Sequence, residues 1–199
     1  MQTQENIWNK IAKEWHEYKK IPSINSKKFL KKTNGNLLDL GSGSGRHLTK
    51  IKNGKYFLQD FSIEMLKLAK KKATNLKIPN ETIHSPMHII PKQNNYFNYA
   101  ICISALHCVK GKDKRKKTIE ELFRVLKPKG KAYIGVWNED SKRFKRKKEK
   151  DQLIGWQNKG KRYYYLFNEK EIHELFTSIG FKIISTHNSE MMINFIIEK

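Results

Sequence analysis

The chain has 199 residues, enough for one ordinary domain with a full core. Its 41 Lys and Arg outnumber 19 Asp and Glu and leave a net charge of +22, a field that attracts polyanions with steep salt dependence. No apolar run reaches the roughly 18 residues of a membrane span, the polar start at residues 1–6 is read as carrying no signal peptide, and Cys102 and Cys108 lack zinc-ligand spacing, so a cytoplasmic protein with reduced core thiols is expected.

The first predicted element is a helix with Ile7, Trp8, Ile11, Ala12 and Trp15 on one face. Pro22 and Ser23 interrupt it, a short helix runs to about Lys32, and Asn34-Gly35 turns the chain into a strand, Leu37-Leu38-Asp39-Leu40. That strand breaks into Gly41-Ser42-Gly43-Ser44-Gly45, and an amphipathic segment from Arg46 to Ile51 is expected to open a helix. A second strand over residues 56–59 ends at Asp60; a helix capped by Ser62 follows, with Met65, Leu66, Ala69 and Ala73 inward. A short third strand lies near residues 81–84 and an apolar fourth over 99–103. A helix over residues 113–127 is stopped by Lys127-Pro128-Lys129-Gly130, and a fifth strand spans 131–137. Residues 138–161 form a basic, irregular insertion over the sheet's carboxyl edge. A helix over 169–178, capped by Asn168 with Glu171 three positions on, precedes strands near 181–186 and 191–197. This order predicts one α/β domain: a doubly wound, Rossmann-like seven-stranded sheet ending in an antiparallel hairpin.

In such a sheet, ligands lie beyond the carboxyl ends of the strands. Alternating glycines let the backbone pass close beneath a ligand, but G-x-G-x-G is not the spacing of a pyrophosphate loop. Asp39 beside it suits a cationic ligand, and Asp60 suits two ribose hydroxyls; S-adenosylmethionine fits both. Phe61 and Met87 are candidates to flank its adenine. The alternative for Asp60 is a carboxylate held at a helix N-terminus.

"LLDLGSGSG", "LQDFSIEMLKLAK", "YFNYAICISALHCV" and "IEELFRVLKPKGKAYIGVW" resemble, in order and spacing, class I S-adenosylmethionine-dependent methyltransferases. The resemblance implies cofactor binding by Asp39, Gly41, Ser42, Gly43, Gly45, Asp60, Phe61, Ser85, Met87 and Ser104. Ser85 stands where the family has an acid facing the adenine amine, and Asn98 replaces an Asp.

The remaining segments are similar to a narrower group, the tRNA wobble-uridine methyltransferases that esterify 5-carboxymethyluridine, including the methyltransferase domain of an animal AlkB homologue. "IWNKIAKEWHEYKKIP", "ALHC", "YIGVWNED", "LIGWQNKGKRYYYLF" and "INFIIEK" carry the likeness, with Lys19 for an arginine, Tyr165 for a histidine and Phe195 for a tryptophan. It implies that Lys19 or Arg162 holds the acceptor carboxylate, with His107 and Asn138 as further donors. Trp137, Trp156, Tyr163 and Tyr164 are candidates to contact a flipped base. No metal site is expected in the chain; a separate zinc-binding activator is, pairing with a sheet edge near the third strand and Met87-His88-Ile89-Ile90. The competing readings are a methyltransferase of a small acidic molecule and a non-catalytic RNA-binding scaffold.

Overall fold

The computed structural model describes residues 3–199; Met1 and Gln2 of the polar start lie outside the described residues. In chain order the elements are α1 (Gln4–Tyr18), α2 (Ile24–Leu30), β1 (Leu37–Leu40), β2 (Tyr56–Asp60), α3 (Ile63–Asn75), β3 (Asn80–His84) and β4 (Phe97–Ile103). A short 3₁₀ turn (Leu106–Cys108), α4 (Lys112–Val125), β5 (Leu126–Trp137), β6 (Asp151–Gly155), β7 (Lys161–Tyr165), α5 (Glu169–Thr177), β8 (Lys182–Thr186) and β9 (Met192–Glu198) complete them. Seven strands form one sheet in the order β3-β2-β1-β4-β5-β9-β8. β3 through β5 run parallel, and β9 lies antiparallel between β5 and β8. The doubly wound sheet with its terminal hairpin is therefore as expected.

Alternate residues of each central strand enter opposite layers. Leu38, Ala100 and Ile134 join Ile119 and Leu122 of α4 and Phe176 of α5. Their neighbours Leu37, Ile101 and Tyr133 join Phe29 of α2 and Leu66 and Ala69 of α3. Burial on both faces explains why β1 and β4 are apolar runs without polar alternation. A third cluster seats Trp8, Ile11 and Ala12 of α1 against Met65 of α3 and Tyr164 of β7.

Four local expectations change. Arg46–Ile51 forms turns and extended chain, not a helix. An isolated bridge sets Lys52 beside Asn34, before β1 begins, so the chain must travel back along the sheet within a few residues. Six residues span about 9 Å as helix and about 20 Å extended; only the extended path reaches. The Tyr56 hydroxyl serves that path, accepting from Thr49 N–H at 3.3 Å and donating to the His47 carbonyl at 3.4 Å. α4 ends at Val125, and Leu126 already pairs with Phe97, consistent with the bias of a pre-proline residue such as Lys127 away from helix. The second half of the irregular insertion is ordered: β6 and β7 form an antiparallel hairpin. Asn98 sits at the start of β4, where its Oδ1 accepts from Asn36 N–H at 3.1 Å; it shapes the approach to β1 and has no bearing on a ligand at the opposite strand ends.

Beside their packing, hydrogen bonds to Asn9 Oδ1 tie the start of α3 to α1. Buried Ser62 caps α3 by accepting from Met65 N–H at 3.2 Å and donates to Asn9 Oδ1 at 2.7 Å. Ser62→Ala removes the cap and the shorter of the two hydrogen bonds to Asn9 Oδ1, which still accepts from Glu64 N–H at 3.2 Å, so urea unfolding should show a loss of about 1–2 kcal/mol.

Candidate active site at the carboxyl strand ends

A cavity of about 740 Å³ opens beyond the carboxyl ends of β1, β2, β4 and β5, roofed by α1, the α1–α2 link and part of the 138–165 region. The loop after β1 forms its floor. Gly41 and Ser42 N–H both donate to the Gln59 carbonyl at 2.9 Å, clamping the loop to β2. Gly41 has φ +77°, and a Cβ there would lie 2.3 Å from Ala105 Cβ. Gly43 has φ +52° and nothing within 4 Å of its would-be Cβ, so its backbone borders open space. Such a cradle admits a ligand close to the main chain.

Asp60, on the wall, is held from two sides. Gly43 N–H donates to its Oδ2 at 2.8 Å and Ser62 N–H to its Oδ1 at 2.9 Å. Each oxygen keeps acceptor capacity for a vicinal diol, so the helix-terminus role leaves Asp60 able to meet a ribose. Burial pushes its carboxyl up to about 6 against those hydrogen bonds. Asp39 lies just behind the wall, fully buried, and its Oδ2 has no hydrogen-bond partner. Burial, then the neighbouring Asp60 charge, push its carboxyl up to about 7, while Arg46 opposes the rise. A buried carboxylate oxygen without a donor is costly, and a cationic ligand relieves that cost. The residues fit S-adenosylmethionine.

The rest of the cavity is cationic. Lys19, Arg46, Lys110, Lys114 and Arg143 line it, with Asp60 the one acid on the wall among the described residues. Lys19 is held below the usual lysine range by partial burial and by the charges of Arg46, Arg143 and Arg162. His107 is buried, and burial pushes its imidazole down to about 3. Its Nδ1 accepts from Trp137 N–H at 3.0 Å, so the neutral ring carries its proton on Nε2 and acts as a donor. Trp137 stacks on Tyr164 (centroids 4.1 Å apart) and on His107 (4.9 Å).

Of the residues expected here, Lys19, Gly41, Ser42, Gly43, Asp60 and Phe61 line the cavity, as do Met87, Ser104, His107, Trp137 and Tyr164. The others do not. Gly45 meets Leu48 and Ala69, with a would-be Cβ 2.7 Å from Leu48 Cδ1; it serves packing on α3. The Ser85 hydroxyl donates to the Ile89 carbonyl at 2.8 Å, closing its own loop. Asn138 is engaged in the backbone, its Oδ1 accepting from Asp140 N–H at 3.0 Å. Tyr163 faces away, its hydroxyl bonded to Asp151 and Arg115. Trp156 packs on Trp15 and Tyr18 (both 5.4 Å) and donates Nε1–H to Glu14 at 3.3 Å. Arg162 is buried within 5.5 Å of the rings of Trp8, Trp15, Trp156 and Tyr164, so it braces α1 against the hairpin behind the cavity. Arg46 and Arg143 take wall positions that sequence reasoning missed. The spacing around Arg46 suits a helix, and Arg143 is one of many basic residues in the insertion 138–161.

A carboxyl raised by burial costs stability progressively as pH rises from about 3.8, where the unfolded chain ionises, to about 7, where the folded one does. Asp39→Asn should therefore raise the thermal midpoint at pH 8; the gain shrinks as pH falls below about 7 and is gone below about 3.8. Calorimetric midpoints across that range check the sign.

A family model described as a methyltransferase domain matches residues 31–171. The tRNA (carboxymethyluridine(34)-5-O)-methyltransferase of Schizosaccharomyces pombe is 26% identical over 210 residues, covering 89% of this chain and 88% of the relative. A SAM-dependent methyltransferase from Methanosarcina mazei superposes with a TM-score of 0.74 at 22% identity, covering 90% of this chain and 98% of that one. A Haloferax volcanii methyltransferase, crystallised as a complex with the Trm112 methyltransferase activator, superposes at 0.71 with 16% identity, covering 95% and 93%. With the glycine cradle and paired acids lying inside the matched segment, the chain belongs to the methyltransferase domain family, and it is a class I enzyme that takes S-adenosylmethionine as methyl donor.

Proposed function

We propose that this enzyme methylates the carboxylate of 5-carboxymethyluridine at the wobble position of tRNA. The observation that carries this reading is the cationic, nearly acid-free wall beside the donor cradle, formed by Lys19, Arg46 and Arg143. The fission-yeast relative supports the choice of acceptor. Bound S-adenosylmethionine supplies an electrophilic methyl group. The acceptor is already an anion near neutral pH, so no general base is required, and a histidine kept neutral is adequate as a hydrogen-bond donor. Lys19 and Arg143 hold the carboxylate, His107 Nε2–H orients it, and Trp137 with Tyr164 supports the base. Positioning of this kind supplies roughly 7–11 kcal/mol of such a barrier. Arg162 acts at one remove, fixing α1 so that Lys19 at its end faces the cavity. Residues 1–199 are read as one catalytic domain, with 138–161 as its cover.

A partner fits the same reading. β3 is the outer strand of the sheet beside β2, and exposed Ile89 lies in the loop that follows it. An unpaired edge with apolar company accepts an added strand, and the expected zinc-binding activator is the proposed occupant; the Haloferax neighbour's complex with a methyltransferase activator supports a partner of this kind. Co-expression with such an activator should give a heterodimer with raised activity. A fully active, monodisperse protein purified alone overturns that part.

Labelled donor and bulk tRNA from a strain lacking the wobble methyltransferase should give label at the wobble base in a base-labile ester. Label confined to small molecules, or none despite donor binding, overturns the reading. Lys19→Ala and Arg143→Ala should each lower kcat/KM about 10²-fold, the scale of losing one oriented donor to a reacting anion. Lys19→Arg should retain most activity, because guanidinium grips a carboxylate with two donors.

A further inference from the structure

The mouth of the cavity carries an apolar cluster that the reading above leaves unused. Tyr18, Ile21 and Ile24 are 64%, 79% and 73% exposed. They lie within seven residues, at the end of α1, in the link, and at the start of α2. Ile21 and Ile24 line the cavity, as does Lys19 two residues before Ile21, while Tyr18 is their neighbour in the chain and lies outside the lining. Scattered exposed apolar residues need no explanation, but a cluster at the lip of a binding cavity marks a contact surface. We propose that Ile21 and Ile24 form a platform on which unpaired bases flanking the acceptor nucleotide pack when that nucleotide enters the cavity.

The proposal rests on the RNA-borne acceptor proposed above. Its argument is charge and chemical complementarity. The apolar lip belongs to a mouth with Lys110, Lys114 and Arg143 on its walls, in a chain of net charge +22. A single-stranded loop presents that combination in reverse: apolar base faces joined by phosphates. A nucleotide drawn into the cavity leaves its neighbours unstacked at the rim, and they regain contact on exposed side chains there. Aliphatic side chains fill gaps between unstacked bases as wedges do in bent duplexes.

The test is binding of a labelled stem-loop RNA and of a fully paired duplex of equal length, at several salt concentrations, by fluorescence anisotropy. Ile21→Ser/Ile24→Ser should raise Kd for the stem-loop about 10–100-fold, leave the salt slope at its wild-type value because no phosphate contact is lost, and barely change duplex binding. An unchanged stem-loop Kd overturns the proposal, as does an equal loss on the duplex or a slope reduced by one contact. An equal loss on anionic phosphatidylglycerol vesicles also overturns it, in favour of a lipid surface. Should the double variant lose its thermal midpoint, Ile21→Ala and Ile24→Ala give the same readout singly. Because the measurement is binding, a protein that grips the loop through this lip yet leaves tRNA unlabelled overturns the acceptor and leaves the platform standing.

Discussion

Two carboxylates buried together at the ends of adjacent parallel strands set the terms for the structure around them. Asp60 is tethered by the N–H groups of Gly43 and Ser62, so one side chain fixes both the glycine loop and the start of α3. Asp39 has an oxygen with no partner and only the Arg46 charge to offset it. Burial makes the ionised forms of both unfavourable in the free protein. A positively charged, hydroxyl-bearing ligand removes that penalty, so part of what the fold gives up in stability returns as affinity for the donor.

The cationic side of the cavity is braced by a buried cation. Arg162 sits among four aromatic rings contributed by α1 and the β6–β7 hairpin. Ring faces supply the attraction that water would otherwise give a guanidinium. A second tie runs at the hairpin tip, where Trp156 and Lys159 both reach Glu14 of α1. These contacts join segments far apart in the chain and hold Lys19, at the end of α1, toward the cavity. The aromatic residues around Arg162 act as a brace, and the ring stack open to the cavity is Trp137 with Tyr164 and His107.

The parallel strands, the Ser62 and Asn168 caps and the glycine loop were legible because each rests on local chemistry: two-sided burial, a hydroxyl or amide three positions before an N–H, a backbone without Cβ. The segment 46–51 was misread because its apolar spacing suits a helix, while its path is dictated by the bridge between Asn34 and Lys52. Ser85 and Asn138 are implied as site residues only by the family resemblance, and each hydroxyl or amide is already engaged within its own loop. Three consecutive tyrosines illustrate the limit. A strand sends neighbours to opposite faces, so Tyr164 faces the cavity while Tyr163 and Tyr165 turn to Arg115, and only the packed hairpin says which face is which.

By itself, the sequence determined the fold class, the donor and the cationic character of the chain, because periodicity, a short glycine motif with its acids, and net charge are properties of adjacent or summed residues. Tertiary structure decided which cations meet. Lys19, Arg46 and Arg143 come from three distant segments, and among 41 basic residues nothing in one dimension separates those that converge on a wall from those facing solvent. The reason is physical: convergence is set by the crossing of packed elements and by burial that brings like charges together, and both exist only once the chain has folded.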